Sequence, residues 1–246
     1  MVPSLTELLC DLGLQKQIVG RTGFCVHPKS AVRSIPKVGG TKDVDVGKIR
    51  DLRPTHVVVN IDENRRELVD ELANFVDNIF VTHPRSPADN LRLYEDFGHL
   101  FHCQERAEEL QHEFATACRE IESAARPEPR RVLYLIWRDP WMTVSPDTYI
   151  AQMLALINWQ TVPQYPDGRY PEIELSEYAD AVDHVLLSSE PFPFRDKHIE
   201  EVRQCFGAGV GVSLVDGEML SWYGSRAIAG VRYLATLDEK LTATVQ

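Results

Sequence analysis

Asp43-Val44-Asp45-Val46, a short stretch closing on Arg53-Pro54-Thr55, and then His56-Val57-Val58-Val59: this order of features occurs twice in the chain. The second copy is Glu172-Ile173-Glu174-Leu175 followed by His184-Val185-Leu186-Leu187, and the two register with a one-residue gap. Each copy reads as an acidic-aliphatic tetrad, a short helical stretch and a strand. The strands are continuous apolar runs rather than alternating ones, the pattern of a parallel sheet covered on both faces. The flanks correspond too. Ser4 to Leu14 has a helical counterpart in Thr148 to Asn158, and later strands are expected at Ile79-Phe80-Val81-Thr82 and Val212-Ser213-Leu214-Val215.

Between the copies, residues 89 to 125 carry apolar side chains at helical spacing among Glu, Arg and Gln. Gly98 and Cys103-Gln104 predict a break, followed by a rod from Gln104 to Ala125 about 30 Å long and stopped by Arg126-Pro127-Glu128-Pro129. The expected fold is α/β. Two mainly parallel-sheet lobes are joined by a single long backbone helix, with a ligand cleft between them. The expected boundaries are residues 1–86, 87–129 and 130–246.

Composition narrows the function. A formal net charge of -11 leaves no basic stripe to neutralise phosphates, which argues against nucleic acid. No apolar run approaches the ~20 residues that span a bilayer. The five cysteines contain no CxxC, form no disulfide framework and lean toward a reducing compartment. Cys10, Cys103 and Cys118 read as small core residues. Ser4-Leu5-Thr6-Glu7 reads as a capping box opening the first helix. No secretory signal pattern precedes it, and a βα unit is expected to open with a strand. The reading favoured here puts that strand upstream of Met1.

Ligands of open parallel sheets bind where strands end. In the first half that rule selects the loop after Val59 with Asp62, the His83 loop, the Phe24-Cys25-Val26-His27 loop and the helix start at Ser4. In the second half it selects Trp137-Arg138-Asp139-Pro140-Trp141, Ser188 to Phe194 and Asp216 to Arg226. Three of the four tryptophans fall in these loops, offering broad flat faces suited to a large planar ligand. Cys25 and His27 are candidate metal ligands, and with His83 they sketch a thiol or metal enzyme. The structural alternative, a half-buried thiol and a backbone-bonded imidazole, is the simpler reading. There is no Walker A sequence, no GxGxxG and no GxSxG elbow.

The run Val2-Pro3-Ser4-Leu5-Thr6-Glu7-Leu8-Leu9 with Leu12-Gly13-Leu14, Val38-Gly39-Gly40, Leu52 to Val58, and Tyr170-Pro171-Glu172-Ile173 through Leu187 resembles the iron-chelate/cobalamin periplasmic-binding domain family. The resemblance is strongest to its cobalamin-binding, helical-backbone branch. It implies a solute receptor of an ABC importer that holds cobalamin or a ferric chelate, has no cofactor of its own and is not an enzyme. It implies ligand contacts at Ser4, Phe24, Asp62, His83, Trp137, Trp141, Phe192, Trp222 and Tyr223. Permease docking falls to one acidic residue per lobe, Glu67 and Glu200 by position. A monomer in the periplasm or another extracytoplasmic space is the expectation. A cytosolic corrinoid- or chelate-handling protein stays open, because this chain shows no signal pattern.

Overall fold

The computed structural model describes residues 1–123, 128–207 and 209–243. By contact density the chain divides into two compact units. One is formed by Met1–Pro84, Asp89–His112 and Tyr223–Arg226, the other by Arg85–Ala88, Glu113–Trp222 and Ala227–Gln246.

The first unit opens with helix α1 (Pro3–Asp11), followed by the single turn α2 (Lys29–Val32), α3 (Val46–Leu52), strand β1 (His56–Asn60), α4 (Arg66–Leu72), strand β2 (Asn78–Thr82) and α5 (Asp89–Phe101). Helix α1 starts two residues earlier than a capping box on Ser4 requires. Its N-cap is Val2, with no side-chain cap and proline in the first turn. Ser4 therefore lies inside the helix, and Glu7 forms a two-pronged ion pair with Arg226 (2.6 and 2.7 Å) instead of capping. Proline supplied the start because it lacks the N–H that a first turn leaves without a helical partner. The acidic tetrad does cap: the Asp45 carboxylate accepts from Lys48 N at 3.0 Å and opens α3. Arg53, left-handed with φ 48°, closes it one residue before Pro54.

β1 and β2 pair in parallel, His56 opposite Asn78 through Asn60 opposite Thr82. Val57 and Val59 face a core of Val38, Ile49, Leu68, Leu72 and Val76. Helix α5 ends at Phe101 before the left-handed His102 (φ 54°), so the expected break falls at His102-Cys103, with Gly98 inside the short helix and the rod opening at Gln104 as expected.

Helix α6 (Gln104–Ser123) follows, and the boundary between the two units falls inside it. Its buried stripe is Ala107, Leu110, Phe114, Ala117 and Ile121, spaced by three and four residues as an amphipathic helix requires. The expected end of the rod at Ala125 and the stop at Arg126-Pro127 lie outside the described residues.

The second unit contains β3 (Arg130–Leu135), α7 (Tyr149–Ala155), β4 (Trp159–Thr161), the 3-10 turn Leu175–Tyr178, β5 (His184–Ser188), α8 (Asp196–Arg203), β6 (Gly211–Val215), α9 (Gly217–Ser221) and α10 (Arg226–Ala243). Its sheet is wholly parallel, in the order β4-β3-β5-β6. Leu133, Leu135, Val185, Leu187 and Val212 pack on Val202 and Phe206 of the α8 side. Every residue of β5 is buried, so the parallel-sheet reading of the apolar runs holds. β4 and α10 belong to no element expected from the repeat. Trp159 on β4 is fully buried. Among the described residues no helix is long and apolar enough to cross a membrane.

The cysteines distribute differently from expectation. Cys25 is the buried one, while Cys10, Cys103 and Cys118 are only partly covered and Cys205 is exposed.

Candidate functional site

In the second unit, β3 runs directly into a tight hairpin. Ile136 N donates to Met142 O (3.0 Å) and Met142 N to Trp137 O (3.2 Å), with Asp139 at φ 60° in the turn. The loop after β5 then returns to the same place, where Phe192 N donates to Ile136 O at 3.2 Å. These main-chain bonds bring together side chains more than fifty positions apart. Trp137 meets Phe192 edge-on at 5.8 Å between ring centroids. Trp141 lies parallel to Phe194 at 6.1 Å, and Phe192 tilts against Phe194 at 4.7 Å. His198, on the first turn of α8, packs its ring against both phenylalanines at about the same spacing, 5.4 and 5.5 Å.

This aromatic block is graded in exposure. Phe194 is buried, Trp141 and Phe192 are half-buried, and Trp137 stands 40% exposed. Rings that support one another edge-to-face hold the outermost indole in place and leave it available to a ligand. The Arg138 guanidinium lies 5.8 Å from the Trp141 ring and is fixed by Glu201, with Nε–Oε1 at 2.9 Å and a second nitrogen at 2.6 Å. Arg138, Glu201 and His198 are structural parts of this rim that the sequence reading did not select.

Behind the rings, Tyr134 Oη donates to Ser188 Oγ (2.9 Å). Glu190 accepts from Ser221 Oγ (2.8 Å) and from the Trp222 indole N–H (2.6 Å). Gly217 opens α9 so close to this loop that a Cβ would lie 2.4 Å from Ser188 Oγ, so only glycine fits. Burial pushes the Tyr134 phenol above its ordinary range.

The first unit carries a polar rim at the corresponding strand ends. Asn60 organises it: its side chain donates to Thr82 O (3.1 Å) and accepts from Asp62 N (2.8 Å), while Asn64 Oδ1 accepts from Asn60 N (3.0 Å). Asp62 and His83 meet at 3.5 Å, both partly exposed. Asn64 also donates to Thr41 O (2.9 Å), tying in the turn whose Gly40 lies against Phe24. Phe24 is 63% exposed, the most exposed ring of this rim. Burial raises the Glu63 carboxyl, opposed by the nearby Lys42 charge.

The structure thus collects Phe24, Asp62 and His83 at strand ends of one unit, and Trp137, Trp141 and Phe192 at those of the other. It buries three residues that were expected to face a ligand. Ser4 is inside α1, Trp222 has its indole nitrogen fixed on Glu190, and Tyr223 is covered. Burial likewise governs Cys25. Its Sγ lies 3.1 Å from the hydroxyls of both Thr6 and Thr22, a polar niche rather than an open ligand position. Among the described residues no group of three His, Cys, Asp or Glu side chains is placed to hold a metal ion. Glu67 and Glu200 are exposed on α4 and α8, the helix that follows the rim in each unit. Glu200 lies 3.5 Å from Arg203.

A family profile described as "Periplasmic binding protein" matches residues 2–204. Among solved structures, the periplasmic vitamin B12 binding protein BtuF of Vibrio cholerae is similar with a TM-score of 0.81 at 15% identity, covering 96% of this chain and 93% of that one. The periplasmic heme-binding protein RhuT from Roseiflexus sp. RS-1 gives 0.77 at 18%, covering 95% and 94%. A periplasmic heme binding protein from Pseudomonas aeruginosa gives 0.78 at 16%, covering 96% and 89%. At these identities the likeness is one of fold. No curated protein sequence matches the chain.

Proposed function

Since the chain belongs to the periplasmic binding protein family, we propose that it captures cobalamin or a related metal chelate, such as heme or a ferric chelate, and presents it to an ABC permease. The family is one of binding proteins rather than enzymes, and no chemical step is assigned to any residue here. The observation that supports a flat ligand is Trp137, exposed at the end of β3 and braced by Phe192. A macrocycle laid on that indole gains apolar contact without disturbing the block behind it. On the first unit, Asp62 and His83 are the polar candidates of this reading, able to donate or accept toward a chelate's side groups or its metal. Stacking with a few polar contacts suits micromolar or tighter binding, roughly -8 kcal/mol. Glu67 and Glu200, exposed and free of rim contacts, are the docking residues of this reading. It places the protein outside the cytoplasm.

The test is a titration of the full chain with cyanocobalamin, hemin and a ferric siderophore, following tryptophan quenching and ligand absorbance. One of the three is expected to saturate at a fixed stoichiometry. If none produces quenching or heat, the reading fails. Reversing the charge at Glu67 and Glu200 is expected to leave that binding intact and to reduce uptake in a reconstituted importer.

A further inference from the structure

Arg21 is a buried cation, 6% exposed, whose guanidinium is held by main-chain oxygens. Nε donates to Val32 O at 2.7 Å, and Nη1 donates to Thr22 O and Cys25 O at 3.0 and 3.1 Å. Carbonyls satisfy N–H donors and leave the positive charge unneutralised, whereas a buried charge is ordinarily paired. Among the described residues Nη2 has no hydrogen-bond partner, and it is not sealed from solvent. The main chain pins the residue in place, with Arg21 N on Pro36 O (3.0 Å) and Val38 N on Arg21 O (2.9 Å).

Arg21 lines an open cavity of about 530 Å³ together with Val26, Lys29, Ser30, Val32 and Arg33. Lys29 and Arg33 lie four positions apart on the α2 turn, whose helical backbone continues through Arg33 (φ -57°, ψ -37°), so their side chains leave the same face. Both are exposed. Three cations thus border one space with no acid in its lining, and among the described residues none of the three has a carboxylate partner. The surrounding sequence is as one-sided. From residue 12 to residue 42 there is no Asp or Glu, against Lys16, Arg21, Lys29, Arg33, Lys37 and Lys42, in a chain of net charge -11. Salt screens exposed charges beyond about 8 Å, so these local cations outweigh the distant acidic surface.

We propose that this cavity binds a small tetrahedral oxyanion, phosphate or sulfate. Arg21 Nη2 is the buried anchor, Lys29 and Arg33 supply the outer charges, and the Ser30 hydroxyl adds a neutral donor. Several unpaired cations around one space favour a dianion over a singly charged carboxylate. None of Phe24, Asp62 and His83 lines the cavity, so the site goes beyond the receptor reading and does not rest on it.

The full chain is titrated with inorganic phosphate, sulfate, acetate and chloride at one fixed ionic strength, following the arginine side-chain N–H resonances and the melting temperature. Phosphate or sulfate is expected to saturate at one per chain, to shift the Arg21 Nε–H signal and to raise the melting temperature. Acetate and chloride are expected to do none of these. Lys29→Gln combined with Arg33→Gln, both at exposed positions, is expected to leave the anion-free melting temperature unchanged and to weaken the oxyanion about tenfold or more. Lys16→Gln combined with Lys197→Gln removes the same charge away from the cavity and is expected to leave binding as it was. The proposal is overturned if neither oxyanion saturates, if acetate binds as well as they do, or if saturation leaves the Arg21 signal unmoved. Equal weakening by the two double variants would also overturn it, since that marks general attraction to positive charge.

Discussion

His184 and His56 open the same strand of the repeat, yet one is sealed and the other stands half-exposed against Phe101 at 5.5 Å. The difference is the number of neighbours. His184 is flanked by Val132 of β3 and by Gly211 of β6, where a Cβ would lie 2.2 Å from its ring. His56 pairs with Asn78 of β2 and lines a cavity of about 500 Å³. Similar local sequence thus reaches two environments, set by four paired strands in one unit and two in the other among the described residues. Burial first, and the Arg130 charge second, lower the His184 imidazole to about 4.

That contrast is open to attack at several strengths. The harshest is Trp159→Ala, which empties a fully buried site on β4 and is expected to cost about 3–5 kcal/mol. Val19→Ala, at an exposed position of the first unit, is expected to stay within about 0.5 kcal/mol. Urea unfolding of the two variants measures both, and equal losses would mean the units are built alike after all.

Next comes pH. The unfolded chain protonates His184 near its ordinary value, whereas the folded one resists until about 4. Between those limits the unfolded state binds more protons, so this contribution is intact above about pH 6.5 and drains away as pH falls toward 4, by up to about 3 kcal/mol. His184→Asn should flatten that slope in acid unfolding curves. A slope unchanged by the substitution would show that other groups carry it.

The two rims separate more mildly. Trp137→Ala is expected to weaken the preferred chelate by about tenfold or more, roughly 1.4 kcal/mol, with little change in melting temperature. Phe24→Ala should cost less, because no other ring of its rim braces it. A larger loss at Phe24 would move the main ligand contact to the first unit. Smallest is the cap: Thr148 accepts from Ala151 N and opens α7, so Thr148→Ala is expected to cost about 1 kcal/mol, a term for which α1, uncapped at Val2, has no equivalent.

Much of the scaffold could be read directly. Unbroken runs such as Val57-Val58-Val59 and Val185-Leu186-Leu187 admit few readings, because only a strand covered on both faces is apolar throughout. The amphipathic stripe of α6 was equally plain. β4 was not, since Trp159-Gln160-Thr161 is too short to show a period and Trp159 resembles a loop residue until its neighbours are known. The break before the rod was legible from Cys103-Gln104, while Gly98, for all its low helical propensity, stays inside α5. On the rims, the strand-end rule pointed to the right loops and could not grade the side chains within them. Trp137 and Trp222 look alike in sequence. Glu190, thirty-two positions earlier, decides that Trp222 turns inward.

What the amino-acid order determined here is periodicity: which segments are strands, which helix bears a buried stripe, and that the pattern occurs twice. Only tertiary structure decided which aromatic rings are exposed, that Cys25 sits between two threonine hydroxyls, and that His184 is sealed between two strands while His56 lines a cavity. The reason is range. A repeat or a stripe is written in neighbours a few residues apart, whereas burial depends on contacts such as Trp141 with Phe194, which sequence separation hides.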